Sequence, residues 1–260
     1  IPISCILGDQ QAALFGQAGY RPGDLKCTYG TGAFILLNTG VEKVFSKNGL
    51  LTTVAYKHKG ETYYALEGSC YIAGAAVQWL RDNLKIVNNS PDIERLAASV
   101  DNLAEMEHLV FLPFFTGIGS PHWNAEAKGA IVGITRDTSP KHIARACLDG
   151  MALSINDSIL AISKESPSPV SQIKVDGGAS QNNLLMQIQA DISKKEIIRP
   201  QVIETTAYGV ALGSQIGLGN IEFSNLDSLW KNDRTFTPVE NDYFVNKQVQ
   251  WDDYIKKLYT

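Results

Sequence analysis

Apolar and polar positions alternate along the first part of the chain and then give way to a helical period. Residues 3–7, with Ile3, Ile6 and Leu7, are β-branched and apolar and predict a buried strand ending at Gly8-Asp9. Residues 10–17 predict a helix that packs through Ala12, Ala13 and Phe15, with Asp9 as its N-cap. Strands are expected at 27–29 and 33–38 around Gly30-Thr31-Gly32, and at 50–56 and 62–67 around the polar turn 57–61. Ile72, Ala76, Trp79, Leu80 and Leu84 then fall on one face and predict a helix over 71–84, with a second over 92–100. A short strand at 109–111 opens a long loop, 113–128, rich in glycine and aromatics. After a strand at 130–134, Ser139-Pro140 supplies an N-cap and an N1 proline for a long helix to 164, buried along Ile143, Ala146, Cys147, Met151 and Ser154. Strand 173–175 closes on Asp176-Gly177-Gly178; helix 181–193, strand 197–198, helix 205–217 and a helical tail at 243–258 follow. Trp230 and Trp251 read as packing residues.

The order is a meander, a helix, then strand–helix–strand–helix. It implies an α/β domain with a mixed sheet flanked by helices, not an alternating parallel barrel. Repeats and low-complexity stretches are absent, and the linker-like stretch 163–171 is short, so residues 1–260 are expected to form one domain. The chain starts at Ile1, without methionine, directly in a strand-like string, which leads us to expect a piece of something longer.

Composition narrows the function. With 44% hydrophobic and 19% charged residues, the chain can pack a core and does not read as disordered. A net charge of −4 offers no basic face for nucleic acid. No apolar run approaches the roughly 18 residues that span a bilayer, and residues 1–8 do not read as a signal peptide. Cys5, Cys27, Cys70 and Cys147 are far apart and read as buried free thiols of a reducing compartment, so a cytoplasmic location is expected. His58, His108, His122 and His142 are equally scattered, and no metal site is expected on these side chains.

Four glycine-bearing turns each follow a predicted strand: Gly8-Asp9, Gly30-Thr31-Gly32, Glu67-Gly68-Ser69 and Asp176-Gly177-Gly178. Ligands in open α/β sheets gather at strand ends, where backbone amides and helix N-termini face outward. Each turn alone is more often ordinary turn chemistry, and none fits G-x-x-x-x-G-K-[ST] or G-x-G-x-x-G.

Taken in order, the motifs carry a resemblance. Gly8-Asp9-Gln10-Gln11-Ala12-Ala13-Leu14-Phe15-Gly16-Gln17, then Thr28-Tyr29-Gly30-Thr31-Gly32 with Leu37-Asn38-Thr39-Gly40, resemble the polyol motif and phosphate hairpin of the glycerol kinases, a branch of the FGGY carbohydrate kinases. Asn48-Gly49-Leu50-Leu51-Thr52-Thr53, Ala65-Leu66-Glu67-Gly68-Ser69, Ala73-Gly74-Ala75 and Gln78-Trp79-Leu80-Arg81-Asp82 continue it. Residues 129–149 are similar to the second FGGY signature, and Val175-Asp176-Gly177-Gly178-Ala179 with Asn182-Asn183 to the adenosine motif. The matches run from Ile1 to about Gly219.

The resemblance implies a ribonuclease H-like, actin-type ATPase domain. It would be the C-terminal, nucleotide-binding half of a two-domain kinase that phosphorylates glycerol to sn-glycerol 3-phosphate. The cofactors implied are ATP and Mg²⁺, the metal held mainly through the N-terminal domain, which this chain lacks. That domain is the implied partner, with a homo-oligomer for the full-length enzyme; the isolated chain would be weak or inactive. Asp9 is then the catalytic base. An aspartate there sits where a helix dipole favours negative charge, and phosphoryl transfer needs positioning more than strong proton abstraction. Asp9, Gln10 and Phe34 would bind glycerol; Thr31, Gly32, Gly74, Gln78, Gly178 and Asn182 would bind nucleotide. Read without the family, Asp9 is a plain cap, Gln10 a solvated first-turn residue, Phe34 a core residue, Thr31 a hairpin threonine and Gly178 an ordinary turn glycine. The family more often has an aromatic at His122, an acid at Asn124 and arginine at Lys128, and no catalytic role is carried onto that loop. Another FGGY sugar kinase, a binding-only relative and a non-catalytic actin/Hsp70-type ATP-binding module remain alternatives.

Overall fold

The computed structural model describes residues 3–259. Helix α1 (Asp9–Gly16) precedes the meander β1 (Leu25–Tyr29), β2 (Ala33–Gly40), β3 (Leu51–His58) and β4 (Glu61–Cys70). Helices α2 (Gly74–Asp82) and α3 (Asp92–Ala98) lead to the short pair β5 (Val110–Leu112) and β6 (Ala130–Val132). The long α4 (Pro140–Glu165) is followed by β7 (Gln172–Asp176), α5 (Asn183–Ser193), β8 (Glu196–Pro200) and α6 (Thr205–Gly217). The segment α7 (Leu226–Leu229), β9 (Asn232–Phe236) and α8 (Asp242–Tyr259) ends the described chain.

The main sheet has the order β3-β4-β2-β1-β7-β8-β9. Its meander side is antiparallel, β1, β7 and β8 run parallel, and β9 returns antiparallel at the edge. Side chains alternate across each strand, so each face buries its own core. On one face Cys27, Tyr29, Ile35, Leu37, Leu66, Ile173 and Val175 pack with α4 and α5. On the other, Leu36, Ala55 and Ala65 pack with Leu14 and Phe15 of α1 and Leu212 and Ile216 of α6. Each fully buried leucine or isoleucine contributes about 1.5–3 kcal/mol, so α4, buried along most of its length, is held by packing more than by propensity.

Helices α1 and α6 touch backbone to backbone. A Cβ at Gly209 would overlap the Ala12 carbonyl oxygen, and one at Gly16 would overlap that of Thr205. This contact fixes the position of α1, whose first turn carries Asp9 and Gln10.

Three sequence expectations change. Residues 3–7 are not a strand; Ile3 and Ile6 are exposed, while Cys5 and Leu7 lie against Gly213 of α6. An apolar run becomes a strand only with a ladder partner, and none reaches it among the described residues. Glu67-Gly68-Ser69 is not a turn but part of β4, and Gly68 is small because Ser158 of α4 comes within 2.9 Å of its Cβ position. Gly8, not Asp9, is the N-cap of α1; Asp9 is the first helical residue. The sequence reading also passed over β9, whose polar run Asn-Asp-Arg-Thr is exposed at the sheet edge.

Candidate active site

Alternation along β1 divides the chemistry into two places. Lys26 and Thr28 face α1, and Tyr29 faces α4 and α5. Thr28 stands opposite Phe34 on β2 and Asp176 on β7, and Phe34 stands opposite Ser69 on β4. Asp176, Thr28, Phe34 and Ser69 therefore form one row on the face that α1 covers.

The first turn of α1 is linked to this row through Lys26. Asp9 is exposed; its Oδ1 accepts the Gln10 N–H at 2.8 Å, and its other oxygen makes no hydrogen bond among the described residues. The Gln10 Oε1 accepts from Lys26 Nζ at 2.5 Å, and Lys26 also donates to Thr28 Oγ1 at 2.8 Å. Burial pushes the Lys26 ammonium below the usual lysine range; Asp176, Glu67 and Asp9 pull it back up. Burial raises Asp176 above the usual carboxylate range against the opposing pull of Lys26, Thr28 and Gln17. Gln17 donates to Asp176 Oδ2 at 2.8 Å and accepts from the Trp230 indole at 2.9 Å, which ties this carboxylate to the body of the fold.

Across β1 lies a cleft of about 440 Å³. Thr31, Gly74, Gln78, Gly178 and Asn182 all line it, five residues from three separate parts of the chain. Its floor is apolar (Val77, Ile93, Leu148, Met151 and Leu185). The Gly30-Thr31-Gly32 turn is pinned to the start of α2: Thr31 O accepts from Ala73 and Ala75, and Gly30 O from Gly74. Gly74 must be glycine for this, since its Cβ position lies 2.7 Å from Gly30 O. Gly178 differs: nothing lies within 4 Å of its Cβ position, which opens into the cleft. Asn182 caps α5 by accepting the Leu185 N–H at 2.9 Å, which leaves its amide N–H groups as donors. Gly32 does not line the cleft; it is buried under the turn, where Cys70 O lies 2.5 Å from its Cβ position.

Sequence reasoning missed two residues here. Lys26 carried a signal, a charged residue between the apolar Leu25 and Cys27 in a strand that is otherwise uncharged. Glu94 carried none; its Oε1 accepts from the Asn183 and Leu184 N–H groups and so fills the α5 N-terminus with its own carboxylate. A larger hollow of about 800 Å³ between α4 and α8 holds none of the residues singled out by sequence. In the 113–128 loop, His122 meets Asp157 at 3.2 Å, Trp123 donates to Gly49 O, and the Asn124 side chain bonds Glu126, Ala127 and Tyr259. Those contacts are internal ties.

A family model described as the FGGY family of carbohydrate kinases, C-terminal domain, matches residues 25–214. A glycerol kinase from Acinetobacter baylyi is 46% identical over 261 residues, covering 99% of this chain and 52% of the relative. One from Myxococcus xanthus is 51% identical over 241 residues, covering 92% and 48%. The crystal structure of Plasmodium falciparum glycerol kinase with ADP superposes with a TM-score of 0.90 at 32% identity, over 100% of this chain and 52% of that one. A ligand-bound xylulose kinase from Lactobacillus acidophilus, at 19% identity and a TM-score of 0.81 over 95% of this chain and 50% of its own, shares the fold. The mixed sheet flanked by helices is thus the ribonuclease H-like, actin-type architecture of these kinases. The chain spans about half the length of the curated relatives it matches.

Proposed function

Since the chain belongs to the FGGY family of carbohydrate kinases, we propose that it is the C-terminal, ATP-binding half of an enzyme that phosphorylates glycerol to sn-glycerol 3-phosphate. The observation that carries this reading is the placement of Asp9 and Gln10 on one side of the β1 end and of the 440 Å³ cleft on the other, joined by Gly30-Thr31. A nucleotide whose base lies on the apolar floor between Gly178 and Asn182 would lead its phosphates toward Thr31. The α5 N-terminus does not compete for those phosphates, because Glu94 already takes its N–H groups. On the other side, a hydroxyl of glycerol held by Gln10 and Phe34 would attack the γ-phosphorus. The bond from that phosphorus to the β–γ bridging oxygen breaks, ADP leaves, and Asp9 takes the hydroxyl proton. Donors at the Thr31 turn would stabilise charge on the phosphoryl oxygens in transit. Relatives at 46% and 51% identity that are named glycerol kinases favour glycerol over a larger sugar.

Magnesium would neutralise charge on the transferring phosphates. Among the described residues no group of three or more His, Cys, Asp or Glu is arranged to hold a metal. In our reading the ion would come with the nucleotide and be held mainly through the other half of the enzyme. We read residues 1–260 as one domain, whose partner domain would close over the substrates and exclude water. Among the described residues no helix is long and apolar enough to cross a membrane. Buried free thiols at Cys27, Cys70 and Cys147 fit a reducing compartment that holds ATP, the cytoplasm.

The test uses the full-length protein with Mg-ATP, measuring glycerol-dependent ADP release and ADP affinity. Asp9→Asn is expected to keep ADP affinity within about twofold and to lose at least about 10²-fold in kcat, the scale of a positioned general base. Unchanged turnover removes Asp9 from the mechanism. No ADP release with glycerol in the unmutated enzyme sinks the reading as a whole.

A further inference from the structure

One charged group beside the proposed polyol site has no task in phosphoryl transfer as described. Lys26 is fully buried on β1, and its side chain turns toward α1. Its ammonium meets Gln10 Oε1 at 2.5 Å and Thr28 Oγ1 at 2.8 Å. An ammonium has hydrogens to give and no lone pair to receive one, so the Gln10 atom that faces it must be the carbonyl oxygen. The orientation of an amide side chain is often ambiguous; here an obligate donor decides it. The opposite end of Gln10, with its two N–H donors, points away from Lys26 and has no hydrogen-bond partner among the described residues.

We propose that Lys26 is a positioning residue, which clamps the Gln10 carbonyl and thereby makes Gln10 a hydrogen-bond donor to the hydroxyl oxygens of the polyol. The inference rests on the reading of Asp9 and Gln10 as the polyol site. Its chemical consequence is directional. The attacking hydroxyl must give its proton to Asp9, the residue next to Gln10 in the same helical turn. A neighbouring N–H donor supports that direction, because the hydroxyl oxygen accepts from it and keeps its own proton for the carboxylate. A glutamine turned the other way would set a second acceptor beside Asp9 and compete for the same proton. Thr28 is the second anchor: it takes another of the ammonium hydrogens and sits in the row with Phe34. Asp176, Glu67 and Asp9 supply the opposing charge that lets an ammonium persist in a buried position.

A purely structural lysine, a counter-ion for Asp176, would affect stability and leave the split between glycerol and ATP kinetics alone. The test therefore uses steady-state kinetics of the full-length enzyme with glycerol and Mg-ATP. Lys26→Met is expected to raise the KM for glycerol about tenfold, the scale of a hydrogen bond to a charged group, with the KM for ATP within about twofold. Gln10→Glu keeps the contact to Lys26 but offers only acceptors, and is also expected to raise the glycerol KM at least about tenfold. In a Gln10→Ala background, Lys26→Met should add less than about a twofold change, because the residue it positions is gone. A wild-type glycerol KM in Gln10→Glu overturns the proposal. So does a Lys26→Met effect on the glycerol KM of the same size with and without Gln10. If Lys26→Met does not fold, Gln10→Glu, at a half-exposed first-turn position, decides alone. Failure of the unmutated enzyme to act on glycerol would remove the underlying reading, and that is read separately from the KM ratios.

Discussion

Gly178→Ala separates what the backbone needs from what the ligand needs. No atom lies within 4 Å of the Cβ position, and Gly178 is not among the residues with positive φ. The folded chain should accept the methyl without strain. Replacing glycine where alanine fits stabilises by about 0.4–1 kcal/mol through the unfolded state. At about 2–4 °C per kcal/mol for a domain of this size, Tm should rise by about 1–4 °C. The same methyl enters the cleft beside Asn182, where the nucleotide base is proposed to lie. Crowding a fitted contact costs about 1–3 kcal/mol, which is about 5- to 150-fold in Kd. Gly74→Ala is the mirror experiment. Its Cβ would stand 2.7 Å from Gly30 O, whose turn is pinned by the N–H groups of Ala73 and Ala75 on Thr31 O. It should lower Tm, with a cost of about 1–3 kcal/mol. The assay is thermal unfolding together with calorimetric titration of Mg-ADP into the full-length protein and each variant. A Gly178→Ala protein with a raised Tm and unchanged Kd would refute the placement of the base. A lowered Tm would refute the claim that this glycine is kept for ligand room.

Two further outcomes follow from packing and burial. Gly209→Ala should destabilise by about 1–3 kcal/mol or more in urea unfolding, because its Cβ overlaps the Ala12 carbonyl where α1 crosses α6; an unchanged midpoint would mean that the two helices can part at no cost. Lys247 donates from the core to Met106 O, Glu107 O and Leu109 O, and burial pushes its ammonium down to about 8 while Asp149 and Glu107 oppose the shift. In the unfolded chain a lysine titrates near about 10.4, so between these values the unfolded state binds more protons and stability rises with pH. The Tm of the unmutated protein minus that of Lys247→Met should therefore grow from about pH 7.5 to about pH 10; a shrinking difference would mean that the three carbonyls outweigh burial.

The parts of the fold that were legible in sequence are those fixed by local chemistry. Ser139-Pro140 marks the start of α4, and helix 205–217 has the observed bounds of α6, because caps and periodicity are written within a few residues. Residues 3–7 misled because an apolar run states a wish to be buried, not which surface buries it; here α6 does part of that, and Ile3 and Ile6 stay exposed. The polar edge strand β9 misled in the opposite sense, since pairing with β8 alone makes it a strand. In the site, Gly74 and Gln78 share a helix face as their spacing implies. Gly178 and Asn182 have the same spacing but not the same geometry. Gly178 opens a short 3₁₀ turn and Asn182 is the extended N-cap of α5, so their convergence on the cleft is a property of that cap. The partners of Lys26 and Glu94, Gln10 and the start of α5, are remote in sequence, so the charge at Lys26 could mark a buried group but not what that group binds.

The spacing of the motifs along the chain has a physical reason in β1. In a strand, neighbouring side chains point to opposite faces, so Thr28 and Tyr29 serve different sides of one sheet while their backbone stays continuous. Thr28 belongs to the row with Phe34 and Asp176, and Tyr29 lines the cleft. One step further, Gly30-Thr31 bends around the sheet end and is the segment that both sides share. A phosphoryl group moving from a nucleotide in the cleft to a hydroxyl at Gln10 would cross there. β1 is paired on both edges, with β2 and β7, so this crossing point is set by a central strand rather than by a free loop. That placement is what transfer by positioning requires, since a misplacement of about 1 Å can cost about 10²-fold in rate. It also accounts for the abundance of glycine at the crossing. Side chains at Gly32 and Gly74 would press on Cys70 O and Gly30 O and shift the turn, so these two positions preserve its place, while the open space at Gly178 is where the proposed nucleotide would fit.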